Sequence, residues 1–519
     1  MNYRITDNLA GAIRLDEIPE VSYAEFYDDV TARLADERCH VAHYFALPEG
    51  GRLRFYCLLL DDAEGRVLIT SHAMEYYDDT ALPSLTARHA QLHPFERDIM
   101  ERYGVRFDGL PWPKPLRFPF DRRDRGSSID NYPFYTMEGR SLHEVNVGPI
   151  HAGIIEPGAF RFICNGERVL HLEIALGYQH RGVEHAFETT HNRLRQVCLA
   201  EAGGGGSTDD GRGRRRRRGP RHGLRRGRRE ALGARAHGRD GARTGRGART
   251  RTHGHGHRRH GRPLDGRGLP AGAGGLRGAA HDDDQHDAGL VRQPLRQGAH
   301  PPARHRPSAH GRKGRDDPPL NGAQTARRYD EVRRDLKSSP TLLARFEQCG
   351  VVPRDEMRRI GGVGQAARAS GFARDIRASH PWGVYAKQLR HEPILKRHGD
   401  VMARLMIRCR EVLQSASYVD RLLASYEQKY AAVGNPCPAP DYEAPLQASS
   451  LAFGLVEGWR GETCHVVVTD AAGEIAACRI KDPSLHNWLA LALAVRGEGI
   501  SDFPICNKSF NLSYCGHDL

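Results

Sequence analysis

The chain has no run of eighteen or more apolar residues, which excludes a helix able to span a bilayer. Its opening, MNYRITDNLAGAIRLDEIPE, lacks an apolar core and carries acidic residues early, so it does not read as a secretory leader, and a cytosolic setting is expected. Eleven cysteines are present, but no C-x-x-C pair. That scatter excludes a regular disulfide framework and fits reduced thiols in a large protein. The fourth absence is local. Between Ala202 and Arg328 there is no Phe, Tyr, Trp, Ile or Met.

What fills that stretch is Gly, Arg, His, Ala and Pro. Residues 211–320 carry 28 Arg and one Lys against nine acidic residues, so this one segment more than accounts for the net charge of +13 and the remainder of the chain is net negative. Such a segment cannot bury enough apolar surface to offset its ordering entropy, and disorder is expected. Three readings compete: a basic arm for nucleic acid, built on GRGRRRRRGPRHGLRRGRRE; a weak, promiscuous histidine tract for metals, HGHGHRRH; and translation in a shifted frame of a GC-rich gene. The third is favoured. Back-translating residues 282–300 with plausible wobble bases and reading one base later can give TTINTMLDWSGNRFGKGLIR, which has the Ile, Met, Phe and Trp that the printed stretch lacks.

The flanking regions have ordinary composition. Up to about residue 125 the pattern is that of a small α/β domain. RLRFYCLLLDD and GRVLITSHA read as paired strands, HPFERDIMERYGV as a helix, and the proline-broken GLPWPKPLRFPF as an extended tail lying on a neighbouring surface. From about Tyr329 the chain is first helical, in SPTLLARFEQCGVV and DVMARLMIRCREVLQSASYVDRLLASYEQ. It then turns sheet-like in CHVVVTDAAGEIAACRI, a hairpin about an Ala-Ala-Gly turn, before a last helix, LHNWLALALAV.

Several stretches carry a family resemblance. HPFERDIMERYGVRFDGLPWPKPLRF (93–118) resembles the signature of the complex I 30 kDa subunit. VNVGPIHAGIIEPGAFRFICNGERVLHLEIALGYQHRGVEHAFE (145–188) resembles the opening of the complex I 49 kDa subunit and of group 4 nickel–iron hydrogenase large subunits. GGVGQAARASGFARDIRASHP (361–381), VEGWRGETCHVVVTDAAGEIAACRIKDPSLHNW (456–488) and the C-terminal tail continue in the same order. The two parts fused in one chain look like the large subunits of the formate hydrogenlyase and hydrogenase-4 type.

The resemblance implies an α+β protein. A 30 kDa-like domain (1–125) precedes a mainly helical large-subunit-like domain with peripheral strands (126–202 and 329–519), interrupted by the segment 203–328. It also implies oxidation–reduction coupled to proton movement, with hydrogen or quinone as the reactant. The expected partners are a small subunit carrying a 4Fe-4S cluster and a membrane arm, on the cytoplasmic face of the membrane, with no nucleic acid.

Residue by residue, the family's GPxH loop falls on Gly148, Pro149 and His151, and Glu156 follows as a candidate proton relay; a surface histidine and a strand-end carboxylate are the plainer readings. In HRGVEHAFE, His180 and Arg181 are implied to lie near the partner's cluster, with His180 and Glu184 four apart on one helical face and Glu184 structural. A nickel–iron centre needs four thiolates, supplied in the family by two C-x-x-C pairs. The first is expected just beyond RLRQVCLAE, where Cys198 is alone and reads as a core residue. The second aligns with Tyr514 and Asp518 and puts Ser513 and Gly516 at the ligand positions, with Cys515 between them and Cys506 nine residues before it. The chain also stops at Leu519, without the C-terminal extension that nickel-bearing members often carry. The expectation is a retained scaffold with a degenerate nickel site.

Overall fold

The computed structural model describes residues 2–76, 79–151, 155–193, 195, 196, 199, 322–430 and 444–519. The basic arm, the histidine tract and Cys198 lie outside these residues. The end of the segment expected to be disordered does not: a helix runs over Gly322–Lys337, and Tyr329 and Leu336 on it are buried.

The N-terminal region comprises β1 (Arg4–Thr6), β2 (Ile13–Arg14), α1 (Tyr23–Ala35), β3 (Cys39–Glu49), β4 (Arg52–Asp61), β5 (Arg66–Glu75), β6 (Leu82–Pro83), α2 (His93–Tyr103) and β7 (Phe107–Asp108). Strands β1, β5, β4 and β3 form an antiparallel sheet in that order. The run FYCLLL in β4 is apolar on both sides of the strand, and the sheet is covered on both faces to match. Phe55, Cys57 and Leu59 face α1 and α2 in one core, whereas Tyr56, Leu58 and Leu60 join Leu451, Leu455 and Val466 in another. Burial of each such side chain contributes about 1.5–3 kcal/mol. Helix α1 begins at a capping box, with the Ser22 and Glu25 side chains each accepting from the other's backbone N–H.

The rest of the described chain comprises β8 (Leu142–Val147), β9 (Ala159–Asn165), β10 (Arg168–Ala175), α3 (Val183–Glu188), α4 (Gly322–Lys337), α5 (Pro340–Phe346), α6 (Arg354–Arg359), α7 (Gly364–Ala369), α8 (Ile376–Ser379), α9 (Gly383–Lys387) and α10 (Val401–Tyr430). It ends with β11 (Ser450–Gly458), β12 (Gly461–Thr469), β13 (Ile475–Lys481), α11 (Ser484–Val495), α12 (Phe503–Phe510) and α13 (Tyr514–Asp518). The expected hairpin is β12–β13. It belongs to a sheet ordered β13-β12-β11-β2, so a two-residue strand from the N-terminal region completes a sheet of the C-terminal one. A third sheet, β10-β9-β8, packs Phe160 and Phe162 against Trp488, Leu491, Phe503 and Phe510 of α11 and α12. The architecture is mixed helix and strand, consistent with the α+β expectation. Among the described residues no helix is long and apolar enough to cross a membrane.

The proline-rich stretch after β7 is extended, as its composition predicts. Its prolines remove donors, and the donors that remain are gathered by one carboxylate: Glu101 of α2 accepts the N–H groups of Leu116 (3.2 Å), Arg117 (3.0 Å) and Phe118 (2.8 Å). This anchoring carries Arg117 onto the C-terminal helix.

Candidate functional site

Helix α13 is short and buried, and most of the residues singled out in the sequence surround it. Ser513 is its N-cap: the hydroxyl accepts the Gly516 N–H at 2.9 Å, while its own N–H donates to Ser484 Oγ at 3.0 Å. Tyr514 packs its ring on Trp488, with centroids 4.8 Å apart. At the other end Asp518, fully buried, accepts the N–H groups of Gly177 and Gln179, each at 2.8 Å. The turn before α3 is thereby tied to the chain's last residues.

His180 and Arg181 take part in the same tie. His180 donates through Nδ1 to the Asp518 carbonyl (2.8 Å), and burial pulls its pKa down. The Arg181 N–H donates to the Leu519 carbonyl (2.8 Å) and its guanidinium to the Cys515 carbonyl (3.0 Å). Both precede α3, which starts at Val183, so the expected helical face shared by His180 and Glu184 does not form; Gly182, at φ +65°, ends the turn before the helix begins. Glu184 instead faces inward. It accepts from Arg102 (2.6 Å) and from the Ile480 N–H (2.9 Å), joining α2, α3 and β13.

His151 and Glu156 sit on the loop between β8 and β9. Gly148, at φ +95°, has the Gly158 carbonyl where a Cβ would be (2.2 Å), so the loop closes on itself only with glycine there. His151 donates through Nε2 to that same carbonyl at 3.0 Å. Glu156 reaches α13, accepting the Cys515 N–H at 3.2 Å. The Cys515 thiol lies 3.5 Å from Ser513 Oγ, and burial, aided by Glu156, pushes its pKa up to about 11. The structure therefore brings Glu156, His180 and Arg181 to α13, where Glu156 and Arg181 both bond Cys515, and leaves His151 bonded within its own loop.

Sequence reasoning missed two contributors. Arg117 donates through Nε to the His517 carbonyl at 2.8 Å, signalled only by the expectation that the proline-rich tail lies on a neighbouring surface. Asp482 has no such signal. Its Oδ1 accepts the Ser484 N–H (2.8 Å), but its buried Oδ2 has no hydrogen-bond partner and lies 2.5 Å from the position a Gly516 Cβ would take.

These positions do not fit a nickel–iron centre. Ser513 offers a hydroxyl already engaged as a helix cap, and Gly516 offers no ligand and no room for one. Cys506 does not complete a pair with Cys515; its sulfur faces Cys349, 3.7 Å away.

The sequence profile of the respiratory-chain NADH dehydrogenase 49 Kd subunit matches residues 322–518. Among known proteins, the carbon monoxide-induced hydrogenase of Rhodospirillum rubrum is 29% identical over 35% of this chain and 48% of its own length. Hydrogenase-4 component G of Escherichia coli is 24% identical over 92% of this chain and 81% of its own length. Formate hydrogenlyase subunit 5 of the same organism is 24% identical over 99% and 89%. The chain thus spans about half the length of the first of these relatives and most of the other two. In profile and in relatives the chain is similar to the large subunits of hydrogenases and NADH–quinone oxidoreductases. Of these, the matches that run over nearly the whole chain are those to hydrogenase-4 component G and formate hydrogenlyase subunit 5. These comparisons lend no support to a nucleic-acid-binding arm.

Proposed function

We propose that this chain is the cytoplasmic-face large subunit of a membrane-associated hydrogenase or quinone-oxidoreductase complex in which the scaffold persists and the nickel site is lost. The observation that carries the reading is the pair Ser513 and Gly516, where a hydroxyl caps a helix and a buried Asp482 oxygen fills the space a second ligand would need. In this reading the surviving chemistry belongs to a quinone-like reactant or is absent. His151 and Glu156 are the groups able to hold or pass a proton beside α13, and Arg181 is the cation beside the partner's 4Fe-4S cluster.

Partner association has its own support. Phe120, Ile150 and Ile155 are 76%, 81% and 51% exposed; Phe120 packs at a tilt on His180, which bonds α13, and the isoleucines flank His151. Apolar side chains this open beside a buried polar site fit a surface that an iron–sulfur subunit covers.

Nickel analysis of the purified full-length chain, isolated together with its iron–sulfur partner, tests the reading. Less than a tenth of an equivalent of nickel with the partner retained is expected; stoichiometric nickel overturns it.

A further inference from the structure

Away from α13, two cysteines and two carboxylates converge from two segments that are distant in sequence. Cys349 follows α5, Glu498 and Asp502 lie between α11 and α12, and Cys506 is on α12. The Cys349 sulfur and one oxygen from each of Glu498 and Asp502 all lie within 4.8 Å of one another. The Cys506 sulfur lies 3.7 Å from that of Cys349. Two sulfurs bound to one zinc ion at about 2.3 Å with tetrahedral angles stand about 3.8 Å apart, so the thiols already hold that spacing.

A second observation points to negative charge here. Arg404 is 1% exposed, and its donors go to neutral acceptors: Ser509 Oγ (2.8 Å), the Gly399 carbonyl (2.7 Å) and the Gly350 carbonyl (2.9 Å). Among the described residues no carboxylate pairs with it. A buried guanidinium without a counter-ion is costly, and the Cys349–Cys506 pair, whose Cys506 sulfur packs with Arg404 around Gly350, is placed to face it with negative charge. The carboxylates are lightly used: Glu498 Oε1 accepts the Gly350 N–H at 2.9 Å and Asp502 Oδ1 lies 3.4 Å from Arg345, which leaves each with free lone pairs.

We propose that Cys349, Cys506, Glu498 and Asp502 form a structural zinc-class cation site that clips the loop after α5 to the segment leading into α12 and α13. Mixed thiolate and carboxylate ligands suit Zn²⁺, since soft copper(I) disfavours the oxygens and hard Mg²⁺ or Ca²⁺ disfavours the sulfurs. Binding releases the thiol protons to solvent, and the half-buried carboxylates give the ion its entry. The proposal is independent of the functional reading above.

Titration of the reduced, metal-free full-length chain with Co²⁺, followed by displacement with Zn²⁺, tests it. Cobalt–thiolate charge-transfer absorption reports sulfur ligands alone, so the histidine-rich stretch at 253–260 adds nothing to the signal. One equivalent of Co²⁺ is expected to raise the band and Zn²⁺ to remove it. Cys349→Ser and Cys506→Ser should each cut the band by about half or more. Glu498→Gln should weaken Zn²⁺ binding by about tenfold or more, the scale on which metal sites respond even to loss of outer partners. Absence of the band in the fully reduced wild type overturns the proposal, as does an intact band in Cys349→Ser. Should Cys349→Ser fail to fold by circular dichroism, Glu498→Gln decides: Zn²⁺ affinity equal to wild type overturns the site.

Discussion

The junction between the two large sheets and the C-terminal helix both bury carboxylates, and they hold them differently. At the junction Glu462 lies between Lys481 and His40, with the imidazole nitrogen 2.7 Å away, and Lys481 also donates to the Val41 carbonyl at 3.2 Å. Charge there is answered by charge. At α13 Asp518 is held by two backbone N–H groups and by His517 Nδ1 at 2.9 Å, and burial lowers the His517 pKa, which favours its neutral form. Asp482, one residue beyond Lys481, keeps an oxygen with no hydrogen-bond partner. The first arrangement is what a structural ion pair requires. The second holds its carboxylates through backbone N–H groups and a histidine, and leaves one buried Asp482 oxygen without a hydrogen-bond partner.

Breaking the junction should cost most. Lys481→Met strands Glu462 and is expected to destabilise the protein by about 3–5 kcal/mol, read from the shift in urea midpoint; a loss under about 1 kcal/mol would remove the distinction between the two regions. Acidification probes the same pair. Burial alone would raise the Glu462 pKa, but Lys481 and His40 hold it below the ordinary carboxylate range. Its contribution is therefore complete above the unfolded value of about 4.3 and is lost as pH falls toward the folded one. The His40 pKa is raised: burial opposes the rise, and Asp62 and Glu462 overcome it, so its share is complete below about 6.5 and is lost as pH climbs through the folded value. Urea titrations across pH should show stability falling on the acid side, and Glu462→Gln should flatten that limb.

Effects at α13 are expected to be smaller. Asp518→Asn weakens two charge-assisted bonds and should cost about 1.5–3 kcal/mol, with faster hydrogen exchange at the Gly177 and Gln179 amides. Gly516→Ala places a methyl against Asp482 and should cost about 1–3 kcal/mol. Adding Asp482→Ala should recover part of that loss, and a double-mutant cycle with no coupling would show that the two residues do not meet.

Where structure follows from local pattern, the sequence was legible. The two-sided apolar run of β4, the β12–β13 hairpin and the helix at 93–103 all follow from periodicity and turn residues. The misreading of His180 and Glu184 came from running a helix through Gly182, whose left-handed backbone stops it. Of the site, the spacing of Ser513, Cys515 and Gly516 is readable from residue order alone, whereas their partners Ser484, Glu156 and Asp482 are not.

By itself, then, the sequence determined which elements form and that no C-x-x-C pair lies in α13, since both depend on residue order along one segment. Only the tertiary structure decided what those elements meet. His40 and Glu462 are 422 positions apart, Cys349 and Cys506 are 157 apart, and Asp518 reaches Gly177 across 341. Such contacts are set by how the sheets and helices pack, and packing leaves no periodic trace in the chain.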